Sequence, residues 1–141
     1  MRIVLDTNVL VQIISAKNQH HWIWKAILNK KFFLCATTDI LNEYHEIITT
    51  IYKNAIFADA ILDVIVNSDN FIKVEKFYFW DVPYADEDDQ KFVDCYVAAG
   101  AQYLVTQDKV FFKELHKISF LNVKAIKPDK FLEIYMLSLG S

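Results

Sequence analysis

Asp6, Glu43, Asp89 and Asp108 are far apart in the chain, yet each lies beside the boundary of a predicted strand or helix. Asp6 directly follows the apolar run Arg2–Leu5, where a fold would enclose it and where an unpaired charge is costly. Each of the others also has a plain reading: Asp108 caps a helix, Asp86 to Asp89 form a solvated charge run, and Glu43 is an exposed helix residue. Gathered within a few ångströms, such carboxylates repel and raise one another's pKa, so a neutral-pH site needs a cation among them. Oxygen-only ligands suit Mg²⁺ or Mn²⁺. An ion so held lowers the pKa of a bound water and offsets charge developing on phosphorus, which is the chemistry of phosphodiester hydrolysis.

The elements that would position these acids alternate along the chain. Arg2–Leu5 reads as a strand, Val9–Ser15 and His20–Leu28 as helices, the latter with Trp22, Ile23, Ala26 and Ile27 as its apolar stripe. Phe32–Ala36 suits a strand buried on both faces. Thr38 or Asp39 is expected to cap a helix whose buried stripe is Ile40, Tyr44, Ile47, Ile48 and Ile51, and Phe57–Val66 continues in helical register. Phe71–Val74 reads as a third strand leading into a loop past Trp80 and Pro83. The Asp86–Asp89 cluster favours the start of a helix, carried on by Phe92, Val93, Tyr96 and Val97. Tyr103–Thr106 (strand), Asp108–Leu115 (helix), Val123–Ile126 (strand) and a terminal helix opened by Pro128 complete the series. This alternation predicts an α/β fold with a parallel sheet and helices on both faces, whose site lies beyond the carboxyl ends of the strands.

The 141 residues fit one domain over 1–139, with 140–141 as a tail, one reading of which is a remnant of cloning. Two glycines and two prolines imply short connections. Asp6 interrupts the first apolar run, so neither a signal peptide nor a membrane span is expected, and the cytoplasm is the default location. Cys35 and Cys95 are expected as buried thiols, and the four histidines offer no zinc spacing. The net charge of −3 disfavours a broad basic surface for nucleic acid, so an enzyme of nucleic acid would depend on cations in its site. Among basic residues only Lys91 and Lys109 lie close to the acids in sequence; Lys17, Lys25, Lys30 and Lys31 form a second group that could meet nucleic acid but is better read as a solvated face, and the Trp22, Trp24 and Phe77–Trp80 aromatics as core or dimer surface.

Asp6-Thr7-Asn8-Val9-Leu10 resembles the opening signature of PIN domains, nucleases found in many prokaryotic toxin and antitoxin modules. Thr38 through Glu43 is similar to the family's second motif, Asp86 through Asp94 to its acidic third, and Leu104-Val105-Thr106-Gln107-Asp108 to its fourth. The Pro128–Leu132 segment is like the closing helix of a VapC-like branch. The resemblance implies a PIN-like three-layer α/β/α sandwich with a central parallel sheet of four to five strands. It also implies a Mg²⁺- or Mn²⁺-dependent ribonuclease that is the toxin of a type II pair, with RNA as substrate, an antitoxin partner and a homodimer. By the same resemblance Asp6, Glu43, Asp89 and Asp108 would be catalytic and hold the metal, with Asp94 an additional acid. Asp94 lies about 140° round a helix from Asp89, and Asp86 and Asp88 compete for the same role. Asn8 and Thr106 would orient Asp6 and Asp108, Asn8 alternatively capping the first helix. Tyr96 departs from the small residue of relatives and demands extra room. The alternatives are a catalytically inactive PIN-fold module binding RNA or protein, and a PIN nuclease of RNA maturation or DNA processing.

Overall fold

In the computed structural model, residues 1–75, 87–116 and 122–140 are described, the side chains of Glu87, Asp88 and His116 excepted. The loop expected past Trp80 and Pro83, the Phe77–Trp80 aromatics, Asp86 and Ser141 lie outside them.

The strands are β1 (Arg2–Leu5), β2 (Phe33–Ala36), β3 (Phe71–Lys73), β4 (Tyr103–Val105) and β5 (Ala125–Ile126). They form one parallel sheet in the order β3-β2-β1-β4-β5. The helices are α1 (Thr7–Ile13), α2 (His21–Leu28), α3 (Thr38–Tyr52), α4 (Ala55–Val66), α5 (Glu87–Ala99), α6 (Lys109–His116) and α7 (Pro128–Leu139). They flank the sheet as an α/β/α sandwich with five parallel strands.

Register explains how the layers divide. Ile3 pairs with Leu34 on one side and Tyr103 on the other, and residues level in a parallel sheet share a face. Tyr103 packs on Phe131 of α7, which also meets Phe32 and Trp22 with ring centroids 5.3 and 5.5 Å apart. The aromatics near α2 and α7 are thus core, of the kind that buries large area in fixed geometry. Cys35, one residue on from Leu34, faces the other way, toward the layer that contains Cys95 of α5. Both cysteines are buried free thiols. Burial pushes Cys35 up to about 11 and Cys95, with Cys35 nearby, up to about 12, so neither offers a thiolate at neutral pH.

Several local expectations are corrected. α1 begins at Thr7 rather than Val9, because Asp6 itself occupies the N-cap with extended backbone. Asn8 is therefore inside the first turn, exposed, and does not cap the helix. Thr37, not Thr38 or Asp39, caps α3 by accepting the Ile40 N–H at 3.3 Å. The α3 stripe ends sooner than expected: Ile40, Tyr44 and Ile48 are buried, whereas Ile51 is exposed. Lys53 breaks the register in a left-handed conformation, and Asn54 starts α4 afresh by accepting the Phe57 N–H at 2.9 Å. On α2 it is Trp24 that is buried, while Trp22 is partly exposed and stacks on Tyr135. β5 is two residues rather than four. Tyr96 finds its room: it is buried, and its hydroxyl accepts the Lys124 N–H at 3.2 Å. Gly140 is the C-cap of α7. Among the described residues no helix is long and apolar enough to cross a membrane.

Candidate active site

The strand order places a switch point between β1 and β4, since successive strands run outward from β1 to β3 on one side and from β4 to β5 on the other. Connections leaving such a pair diverge and open a crevice outside the carboxyl ends of the strands. Asp6 leaves β1 into that crevice, and Thr106 and Asp108 leave β4. The Asp6 backbone N–H donates to the Val105 carbonyl at 3.0 Å, extending the β1–β4 ladder and holding the two strand ends level.

Asp6 is 6% exposed. Thr106, fully buried, donates its hydroxyl to Asp6 Oδ2 at 2.7 Å and accepts the Asp108 backbone N–H at 3.1 Å. One hydroxyl therefore ties the ends of both strands together and fixes the orientation of Asp6. Burial raises the Asp6 carboxyl above the usual carboxylate range; the Thr106 hydroxyl and the Thr7 backbone N–H oppose that rise, and the charges of Asp108 and Glu43 add to it. Asp108 accepts the Val110 and Phe111 N–H groups at 3.0 and 3.1 Å through Oδ1, so it does cap α6, and the cap holds its carboxylate in one orientation.

Glu43 reaches the same edge from α3. Its Oε2 accepts from the Thr7 hydroxyl, and its Oε1 lies 2.8 Å from Lys91 Nζ of α5. Tyr44, the next residue, is fully buried and donates to the Leu5 carbonyl at 2.5 Å, which pins the middle of α3 under the end of β1. Thr7 is the contributor that sequence reasoning passed over, and Lys91, noted there only as a basic residue near the motifs, is the one whose pairing with Glu43 it did not foresee. The signals existed: a hydroxyl directly after Asp6, and a lone lysine inside an acidic run.

On α5 the buried residues Phe92, Val93 and Tyr96 stand three, four and seven positions after Asp89, so Asp89 continues the sheet-facing stripe at the end of the helix nearest the strand tips. Asp94 instead shares a flank with Gln90 and Lys91, and its Oδ1 accepts the Gln90 amide at 3.0 Å. The side chain of Asp88 lies outside the described residues, as does Asp86. Asn8 is exposed, and Asp6 takes its side-chain hydrogen bond from Thr106. Lys17, Lys25, Lys30 and Lys31 are all exposed, Lys30 pairing with Asp69 at 2.9 Å.

The structure thus brings together Asp6, Thr106, Asp108 and Glu43 at one sheet edge, with Thr7 and Lys91 as their supports. Among the described residues no three acidic, histidine or cysteine side chains already enclose an ion-sized space. The donor set nevertheless fits Mg²⁺ or Mn²⁺: it is all oxygen, and its most buried member is raised first by burial and then, to a smaller extent, by two neighbouring carboxylates, both of which a divalent cation would offset.

A parallel 3-2-1-4-5 sheet with carboxylates at its switch point defines a class of α/β proteins, and the PIN domain family matches residues 2–110. The chain belongs to the PIN domain family, whose members are generally nucleases. No curated protein matches it. Among solved structures, it is similar to a chain in the crystal structure of VapBC2 from Rickettsia felis bound to a DNA fragment from their promoter, with 17% identity and a TM-score of 0.64 over 90% of this chain and 98% of that one. It is also similar to the PIN domain endonuclease Utp24, with 15% identity and a TM-score of 0.51 over 83% of this chain and 78% of that one.

Proposed function

We propose that this chain is a metal-dependent endoribonuclease and the VapC-like toxin of a type II toxin–antitoxin pair, acting in the cytoplasm as a homodimer. The observation that carries the catalytic reading is the enclosed Asp6 carboxyl, joined to Asp108 through one buried threonine hydroxyl and facing the charge of Glu43. Asp6 and Asp108 would hold the ion, with Glu43 and Asp89 completing its surroundings and Asp94 further out on the α5 flank. Bound there, Mg²⁺ or Mn²⁺ supplies an activated water and neutralises charge developing on phosphorus.

The chain's own residues do the remainder. Thr106 restrains the rotation of Asp6, and the α6 cap restrains that of Asp108, which supports a pair of carboxylates held ready for an ion with little reorganisation. Thr7 and Lys91 fix Glu43 at the opposite side. With a net charge of −3 the surface adds little general attraction for a polyanion, so recognition of RNA would lie in the site and its rim. The likeness to a VapBC2 chain along 98% of its length supports the toxin role and an antitoxin laid against this protein. The competing role, a nuclease of RNA maturation or DNA processing, has as support only that the fold also resembles, more weakly, the PIN domain endonuclease Utp24.

The test is a cleavage assay on a panel of single-stranded RNA, structured RNA and DNA flaps with Mn²⁺ or with chelator. RNA cleavage that requires the ion and vanishes in Asp108→Asn is expected. Equal cleavage in chelator would overturn the mechanism, and a preference for DNA flaps would overturn the toxin role. Absence of Mn²⁺ binding at millimolar concentration by calorimetry would favour an inactive binding module.

A further inference from the structure

Lys91 is a cation set inside an acidic site, and it is engaged rather than solvated. Its ammonium lies 2.8 Å from Glu43 Oε1, with the two side chains only 16% and 25% exposed, so the pair is poorly screened by solvent. The ammonium is also 5.6 Å from the centroid of the Phe92 ring, which walls one side of it. The second Glu43 oxygen is taken by the Thr7 hydroxyl. Both oxygens of Glu43 therefore have partners, and an ion that used Oε1 would share that oxygen with the ammonium, against the repulsion of two like charges.

Charge arithmetic gives the consequence. The carboxylates assigned to the site, Asp6, Glu43, Asp89 and Asp108, carry four negative charges when ionised; one divalent ion offsets two of them, and Lys91 offsets a third. A phosphodiester, itself anionic, then meets a less repelling site. A lysine suits this role because its ammonium is a compact point charge on a flexible stem, able to leave a carboxylate for a nearby phosphate oxygen.

Resting on the metal-site reading above, we propose that Lys91 is the resident cation of the site. It occupies Glu43 Oε1 when the divalent ion is away, competes with the ion for that oxygen, and on displacement presents its ammonium to a non-bridging oxygen of the RNA backbone. An ion pair that merely fastens α5 to α3 predicts the opposite effect on metal binding, because losing it would loosen Glu43 and weaken the site.

Titration calorimetry with Mn²⁺ alone, on the full chain without RNA, separates the two. Lys91→Met keeps the stem without the charge, Lys91→Gln keeps a donor for Glu43 without the charge, and Lys91→Arg keeps the charge. Met and Gln are expected to bind Mn²⁺ about tenfold more tightly than the wild type, as removal of one nearby positive charge implies, and Arg within about twofold of it. For a short RNA, Met and Gln should raise KM about tenfold, and the slope of log affinity against log salt should fall by about one. If wild-type protein binds Mn²⁺ and both neutral variants bind it no more tightly, the Lys91 proposal is overturned while the metal site stands. If wild-type protein binds no Mn²⁺, the metal-site reading falls and takes this proposal with it.

Discussion

Asp6→Asn is expected to lower RNA cleavage by about three orders of magnitude, roughly 4 kcal/mol of transition-state stabilisation, while raising the melting temperature of the metal-free protein. The two effects have one cause. Asparagine keeps the size of the side chain and the hydrogen bond from Thr106, but it cannot bring a negative charge to an ion. The stability sign follows from the raised Asp6 carboxyl. An acid whose folded pKa lies above its unfolded value is penalised for ionising in the fold. That penalty is fully present above the folded pKa and fades as pH falls through it toward the ordinary aspartate value of 3.8. The variant should therefore gain most at neutral pH and markedly less near pH 4. Calorimetric scans of both proteins in chelator at pH 7 and pH 4 check this. A variant that loses stability at neutral pH would show that Asp6 is a structural anion, not a strained ligand.

The second large effect is the response to the ion itself. A ligand that binds only the folded chain stabilises it by about 2.7 kcal/mol at a hundred times its Kd, which for this length corresponds to a rise of roughly 8 °C. Mn²⁺ should produce that rise at pH 7. The rise should shrink as the pH is lowered, because protons compete with the ion for the raised Asp6 carboxyl. Asp6→Asn should abolish most of it. A melting temperature equal in Mn²⁺ and in chelator would mean that the acids at the sheet edge are not a metal site.

The strand and helix alternation was legible because most elements carry uninterrupted apolar signals: Ile3 to Leu5, Leu34 to Ala36 and Leu104 with Val105 are all buried. Asp6 stood out for the same reason, as a charge directly following such a run, whereas Asp108, a short step past its strand, also read as a plain helix cap. What stayed hidden depends on exact register or on contacts distant in sequence. Ile51 fits the α3 stripe by periodicity, yet the helix has run past the core by that point, and Lys53 turns left-handed two residues later. Thr37 and Thr38 are chemically equal as caps, and only the backbone of Thr37, extended at ψ 170°, selects it. The Glu43 clamp joins α1, α3 and α5 through Thr7 and Lys91, and no local pattern announces a contact between residues so far apart. Asp89 and Asp94 were inseparable by spacing alone; the burial of Phe92, Val93 and Tyr96 supplies the orientation of α5 that distinguishes them.

Asp6 and Asp108 are expected to share one divalent ion at the β1–β4 switch point. Anomalous scattering from a crystal soaked in Mn²⁺ reads this out. One peak is predicted between the two strand ends, with oxygens of Asp6 and Asp108 about 2.1 Å from it, the distance typical of small hard divalent cations. No peak there at saturating Mn²⁺, with Asp6 still bonded only to Thr106, would contradict it.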